Sequence, residues 1–277
     1  MTGFLVVVIA LGWLISQIYG NAFILYAAIA FSLVMNITAY WFSDKIALSS
    51  TGAKEADAVQ YLELHRILEN LAITAGIPKP RLYVIDDEAP NAFAAGRDPK
   101  HAVVAVTTGL LARLERSELE GVIAHELAHI GNRDILVMTV AVVLAGVIAM
   151  IADIFLRMSF YGGNNDNKNP LLLVAGIAAI IIAPIAAQVI QMAVSRKREF
   201  LADASGALLT RYPDGLASAL QKISSYQAPM KRANHATAHL FISNPFGAHE
   251  RGKFIAKIFS THPPVEERIA ALTGMRV

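Results

Sequence analysis

The chain has 277 residues and a formal net charge of +2, with 55% apolar residues and only 17% charged ones, and its mean hydropathy is +0.47. That balance is out of line for a soluble domain and points to a protein integral to a membrane; the lysines and arginines are scattered without interleaved aromatics, which argues against a nucleic-acid surface. Cysteine is absent, so disulfides and thiolate ligands are excluded, and any metal must be held by histidine and carboxylate.

Residues 1–43 contain no Asp, Glu, Lys or Arg, roughly twice the length that crosses a bilayer. They read as two spans, 3–16 and 22–42, turning at the polar stretch Ser16-Gln17-Ile18-Tyr19-Gly20-Asn21. A cleaved signal peptide is the competing reading, but it needs a basic start and a shorter apolar core. Residues 54–76 then place Val59, Leu62, Ile67, Leu68 and Leu71 at mostly helical spacing before Gly76-Ile77-Pro78, which predicts an amphipathic helix. Arg81-Leu82-Tyr83-Val84-Ile85 and residues 102–107 read as strands, and Asn91-Ala92-Phe93-Ala94-Ala95-Gly96 as a third possible strand. The expectation is a small antiparallel sheet with an exposed edge, able to take an extended peptide through backbone hydrogen bonds.

Ser117-Glu118-Leu119-Glu120 has the form of a capping box and marks the start of a helix that carries His125-Glu126-Leu127-Ala128-His129. On a helix, residues four apart share a face, so the two imidazoles can converge on one zinc ion while Glu126 projects beside them. Glu126 is assigned proton transfer rather than metal binding: it accepts the proton of an attacking water and delivers it to the leaving amine. The plain alternative is a helix with surface histidines. A metzincin arrangement would need Gly at 132 and His at 135, where the chain has Asn132 and Ile135, so the third ligand must come from elsewhere.

Apolar runs at 135–156 and 171–194 read as a third and a fourth span, joined by a Gly-, Asn- and Pro-rich loop over 161–170. Buried core helices are the competing reading, but residues 44–134 and 196–277 are too few to enclose them. After the fourth span comes Arg198-Glu199-Phe200-Leu201-Ala202-Asp203. It offers Glu199 as third ligand and Asp203, one turn on, to accept the ring N–H of a ligand histidine; its plain reading is a solvated charge cluster at a span end. A helix over 216–224 and a closing helix after Pro263-Pro264 complete the chain. Lys45, Lys54, Arg133 and Arg196-Lys197-Arg198 flank the span ends, while the hairpin loops are poor in basic residues. The larger polar segments and both termini should therefore face the cytoplasm.

With these residues in place, the chain resembles the HtpX family of membrane-bound zinc metalloproteases, relatives of the CAAX prenyl endopeptidases. The likeness rests on the paired N-terminal spans, residues 91–96, the 125–129 motif leading into a membrane hairpin, Ser195-Arg196-Lys197-Arg198-Glu199 with Asp203, and Ser260-Thr261-His262-Pro263-Pro264. The resemblance implies a mostly α fold of gluzincin type with a small antiparallel sheet, four transmembrane helices and one zinc per chain. It implies His125, His129 and Glu199 as zinc ligands, and Asn91, Ala92, Phe93 and Ala94 as the substrate-binding edge. His262 would stabilise the oxyanion, against a reading as a solvated loop histidine. His235 and His239, also four apart, lack an intervening glutamate, and a second metal site there is the weaker reading.

The implied organisation is a transmembrane hairpin at 1–43, a second at 135–194 with a short external loop, and a cytoplasmic zinc protease domain from 44–134 and 195–277. The implied activity is cleavage of misfolded or damaged membrane proteins, or of unfolded chains reaching the bilayer, in the quality control of the bacterial inner membrane. Rival classes are a noncatalytic scaffold or chaperone with a structural zinc, which gives Glu126 no role, and a transporter, for which Asp153 alone is a thin basis. A CAAX endopeptidase stays open within the protease class.

Overall fold

The computed structural model describes residues 2–140, 196–233, 237–247 and 263–275. The expected fourth span, the 161–170 loop, His235 and His262 lie outside the described residues, as does most of the third span, whose first residues, 135–140, are helical.

Helix α1 (Thr2–Tyr19) turns into α2 (Ala22–Thr51) at Gly20, which takes φ +61. Asn21 caps α2 by accepting from the Phe23 N–H at 3.0 Å. The pair packs through small residues, a Cβ on Gly12 falling 2.3 Å from the Ala28 methyl, the close backbone approach that suits helices in lipid. Among the described residues, α2 is the one helix long and apolar enough to cross a membrane, and it exposes Phe23, Tyr26, Val34, Ile37 and Trp41. It does not stop where the apolar run ends. It continues to Thr51, burying Ser43, Asp44, Ala47 and Leu48, and Asp44 accepts from Arg81 Nη2 at 2.7 Å. The helix therefore carries the chain without a joint from its apolar stretch into the folded body.

The sheet has the order β1 (Lys54–Glu55), β2 (Arg81–Ile85), β4 (Val103–Thr107), β3 (Ala92–Ala95). It is mixed, which corrects the antiparallel expectation: β2 and β4 run parallel, while β1 with β2 and β3 with β4 are antiparallel. The cause is the connection over residues 86–91, which passes across the end of β4. The Thr107 hydroxyl donates to Ala89 C=O at 2.8 Å and accepts from Asn91 N–H at 2.9 Å. Gly109 lets this connection lie close, since a Cβ there would sit 2.0 Å from Glu88 O. So β3 emerges beyond β4 and becomes the sheet edge. Lys54 and Glu55 join the sheet, so the amphipathic helix expected from Lys54 starts only at Leu62, as α3 (Leu62–Ala75), and Val59 is exposed. Gly76 closes α3 in the left-handed conformation at φ +67.

Helix α4 (Thr108–Arg113) leads to α5 (Arg116–Gly131). The latter begins ahead of the expected serine cap, at Glu115, where Glu118 reaches back to accept from the Glu115 N–H at 2.8 Å. Around α5 pack α3, β3, α6 (Arg196–Thr210) and α7 (Pro213–Ser225), and α8 (Val265–Thr273) closes over α6 and α7. From Val122 to Ile130 every residue of α5 is buried. A stretch buried on all sides belongs at the centre of a core, and residues 122–130 carry three polar side chains, His125, Glu126 and His129, into it.

Candidate metal centre

His125, Glu126 and His129 are each no more than 3% exposed. Burying such groups in an apolar core is costly unless partners are supplied, and three elements supply them. Helix α6 crosses α5 at Gly206, where a Cβ would lie 2.9 Å from the His125 backbone N; only a residue without a side chain allows that approach. The crossing brings Glu199, in the first turn of α6, to the histidines. Glu199 Oε1 is 3.4 Å from His129 Nε2, and Oε2 is 3.9 Å from His125 Nε2. The two Nε2 atoms are 3.2 Å apart. Ligand atoms held tetrahedrally at ~2.0–2.1 Å around one zinc stand about 3.4 Å from each other, so donor types and spacings fit that ion. The same trio of atoms lies mutually within 4.8 Å.

Each histidine is oriented through its other nitrogen. Asp203, one turn beyond Glu199, has Oδ1 2.9 Å from His125 Nδ1. Asp134 has Oδ2 3.1 Å from His129 Nδ1 and also accepts from Arg198 Nη1. An ionised carboxylate only accepts, so each ring donates at Nδ1 and leaves Nε2 facing the centre, where a bound metal would take the place of any proton on it. Arg268 of α8, wholly buried, donates to Asp203 through Nε at 2.8 Å and Nη2 at 2.6 Å. Its Nη1 lies 3.4 Å from Glu199 Oε2.

These surroundings drive the groups apart. Burial pushes His125 down to about 4 against the pull of Asp203. Burial acts the same way on His129, but Asp134 and then Glu199 outweigh it and raise that ring to about 10. Burial raises Glu126 to about 7, with the Glu199 charge adding to the shift and His129 opposing it. Asp203 falls to about 2: burial would raise it, but Arg268 first and His125 after it outweigh burial. A buried carboxyl raised toward neutrality, beside other carboxylates around two imidazoles, marks a candidate functional site whose His125, His129 and Glu199 could hold a metal ion.

Of the residues singled out from the sequence, the structure brings His125, Glu126, His129, Glu199 and Asp203 together. Ala92, Phe93 and Ala94 lie on the edge strand packed against α5, with Asn91 just before it, and the Ala94 backbone acts to lower the Glu126 carboxyl. His262 lies outside the described residues. Asp134 and Arg268 were given no role from the sequence. Asp134 follows the motif closely enough for the local spacing to have suggested it; for Arg268, no local signal exists.

A family model described as peptidase family M48 matches residues 58–276. A curated protein named protease HtpX homolog, from Caldanaerobacter subterraneus subsp. tengcongensis, is 50% identical over 266 residues, covering 94% of this chain and 87% of its own. Another of that name from Pyrococcus furiosus is 52% identical over 248 residues, covering 88% and 84%. Among solved structures, the crystal structure of S. mikatae Ste24p is similar in fold, with a TM-score of 0.55 at 17% identity. The match covers 96% of this chain and 62% of that one.

Proposed function

This chain belongs to peptidase family M48, a family of zinc metallopeptidases, and from that premise we propose a membrane-bound endopeptidase in which Glu126 is the general base. His125, His129 and Glu199 hold the zinc. When bound, zinc supplies a Lewis acid that polarises a peptide carbonyl and lowers the pKa of water toward about 7. Glu126 takes a proton from the attacking water and returns it to the leaving amine, a role favoured by burial, which raises its carboxyl above the ordinary range. Asp203 and Asp134 keep the two rings in the donor-at-Nδ1 form. Arg268 holds Asp203 ionised and sets its third nitrogen, Nη1, against Glu199. The substrate enters as an extended strand along Asn91, Ala92, Phe93 and Ala94, which suits unfolded chains and membrane-protein segments.

The bilayer position follows from α2. Trp41 lies 4.7 Å below the Arg97 guanidinium, and Phe42 5.4 Å from Lys45 Nζ, the aromatic and basic belt of a membrane surface. In this reading residues 44–134 and 195–277 form the protease body of a bacterial inner-membrane protein, and the basic residues at the span ends support a cytoplasmic side for it.

The observation that carries this reading is the pairing of a ligand-competent trio with a buried glutamate that makes no part of it. Glu126→Gln keeps zinc near one per chain and abolishes casein cleavage, whereas Glu199→Ala loses both together. Cleavage at the parental rate by Glu126→Gln would remove the general base. For the topology, Asn21→Cys reacts with an impermeant maleimide on intact cells, and Ser225→Cys only after lysis; the reverse pattern puts the zinc outside.

A further inference from the structure

As the edge of the sheet, β3 has few backbone groups that face away from its neighbour. Thr107 N–H donates to Asn91 C=O at 3.0 Å, so by strand alternation residues 91, 93 and 95 turn to β4, while Ala92 and Ala94 turn outward. The Ala94 backbone lies near enough to Glu126 to lower its carboxyl. The Ala92 C=O accepts from the Ile242 N–H at 2.9 Å. Beside it the Asn91 amide mimics a ladder, donating from Nδ2 to Ser243 C=O at 2.9 Å and accepting at Oδ1 from Ser243 N–H at 3.2 Å.

Phe241 and Ile242 turn to opposite faces, as neighbours in a strand do, while Leu240, which ends a short 3-10 turn over Ala238–Leu240, lies on the side of Phe241. Phe241 packs edge-on against Phe93, ring centroids 5.3 Å apart, in the cluster that holds Ala95, while Ile242 joins Ala92 and Ala94 on the opposite face. Leu240, Phe241 and Ile242 are all buried. The Ile242 C=O accepts from Arg268 Nη1 at 3.3 Å, and that nitrogen also lies 3.4 Å from Glu199 Oε2. A segment that only closed the sheet edge would bury the same side chains without any tie to the metal centre, and this one is tied to it through a single guanidinium.

We propose that residues 240–243 are a built-in substrate mimic: they occupy the strand-addition edge of β3, an incoming peptide must displace them, and the side chains they seat there define what the edge selects. The proposal rests on the reading of β3 as the substrate edge. Displacement is balanced only for a peptide that restores the contacts it breaks, which means a backbone donor for Ala92, an aromatic side chain against Phe93 and an aliphatic one beside Ala92 and Ala94. The preferred substrate is therefore an extended apolar segment carrying an aromatic residue, and the mimic excludes weaker competitors by occupying their place.

The test uses the full chain in nanodiscs with zinc, in a Glu126→Gln background, and a fluorescent peptide with the sequence of residues 238–245. The peptide binds, and replacing its phenylalanine by serine weakens binding at least roughly fivefold. Phe241→Ala in the protein tightens binding at least roughly fivefold, because emptying the edge raises the binding-competent fraction. No binding, or no tightening in a Phe241→Ala protein of parental melting temperature and zinc content, overturns the proposal. Should Phe241→Ala fail to fold, hydrogen exchange in the Glu126→Gln protein decides: saturating peptide exposes the Ile242 amide, and a retained protection with peptide bound overturns the mimic. Cleavage is assayed separately with Glu126 in place. Binding without any cleavage defeats the protease reading and leaves the mimic standing, whereas cleavage with no effect of Phe241→Ala defeats the mimic alone.

Discussion

His125 and His129 face one centre from the same helix, yet their surroundings are built from opposite kinds of contact. At His129 the supporting carboxylate is Asp134, five residues on, and its outer partner is Arg198, whose side chain is 40% exposed. At His125 the support is Asp203 from α6 and Arg268 from α8, the latter 143 residues away with a side chain only 1% exposed. The first end is local and wet; the second is distant in sequence and dry. The difference teaches where the centre is fragile, because a buried charge deprived of its partner cannot recover its hydration, while an exposed one can.

The sharpest way to break the comparison is to remove each arginine in turn. Arg268→Met leaves Asp203 and Glu199 without that cation in the core and should cost about 3–5 kcal/mol in thermal unfolding of the detergent-solubilised chain. Arg198→Met should cost less, because its guanidinium is 40% exposed and Asp134, though buried, keeps His129 as a partner. Equal losses would show that the two ends do not differ as argued.

Next come the carboxylates. Asp203→Asn and Asp134→Asn should each weaken zinc binding, read by competition with a chromogenic chelator, by roughly 10–100-fold. Asp203→Asn belongs at the upper end, since it also strips Arg268 of its bidentate partner. A larger loss at Asp134 would place the critical support at the local end.

Two glycines carry the contrast into packing. Gly206→Ala forces a methyl to within 2.9 Å of the His125 backbone N, which should cost about 1–3 kcal/mol and lower zinc occupancy with it. Gly131→Ala, beyond His129, meets nothing within 4 Å and should stabilise by up to about 1 kcal/mol through helix propensity. Denaturant midpoints check both.

The smallest effect lies at the start of α5. Glu118 accepts from Lys222 Nζ at 2.8 Å and Ser218 Oγ at 2.6 Å. Burial would raise its carboxyl, but these donors, Lys222 first, hold it below the ordinary 4.5. A depressed folded value means that the stabilisation is whole above pH 4.5 and fades as pH falls through the folded value. Lys222→Met should therefore cost less than about 1 kcal/mol at neutral pH, and its difference from the parent should vanish on acidification. A difference that persists below that window would assign the contribution to packing by the lysine stem.

How much of this could be read from the sequence follows the same division. The 125–129 spacing, the glutamate between the histidines and the Glu199 to Asp203 turn are one-turn relations, and a helix converts them directly into shared faces. The start of α2 and the glycine that ends α3 were equally local. Arg268 stood in the closing segment with nothing near it to mark it, because its partners lie on α6. The sheet was expected to be antiparallel, and is mixed, for a related reason: three short strands with brief connections fit a meander as well as a mixed sheet, and the side-chain period is the same in both. Residues 240–243 had no strand signal at all, since a side-chain amide rather than a ladder holds one end of the segment.

By itself the sequence determined the apolar N-terminal stretch, the helix that presents two imidazoles and a glutamate, and the turn that offers a pair of carboxylates, all relations spanning a few residues whose geometry the backbone fixes. Only the tertiary structure decided that α6 could cross α5 closely enough at Gly206 to bring the ligand atoms together. It also decided that a fully buried arginine would stand behind them, and that the outward edge of β3 would be taken by the chain itself. Those outcomes depend on which distant surfaces exclude water from one another, and burial of that kind has no period along the chain.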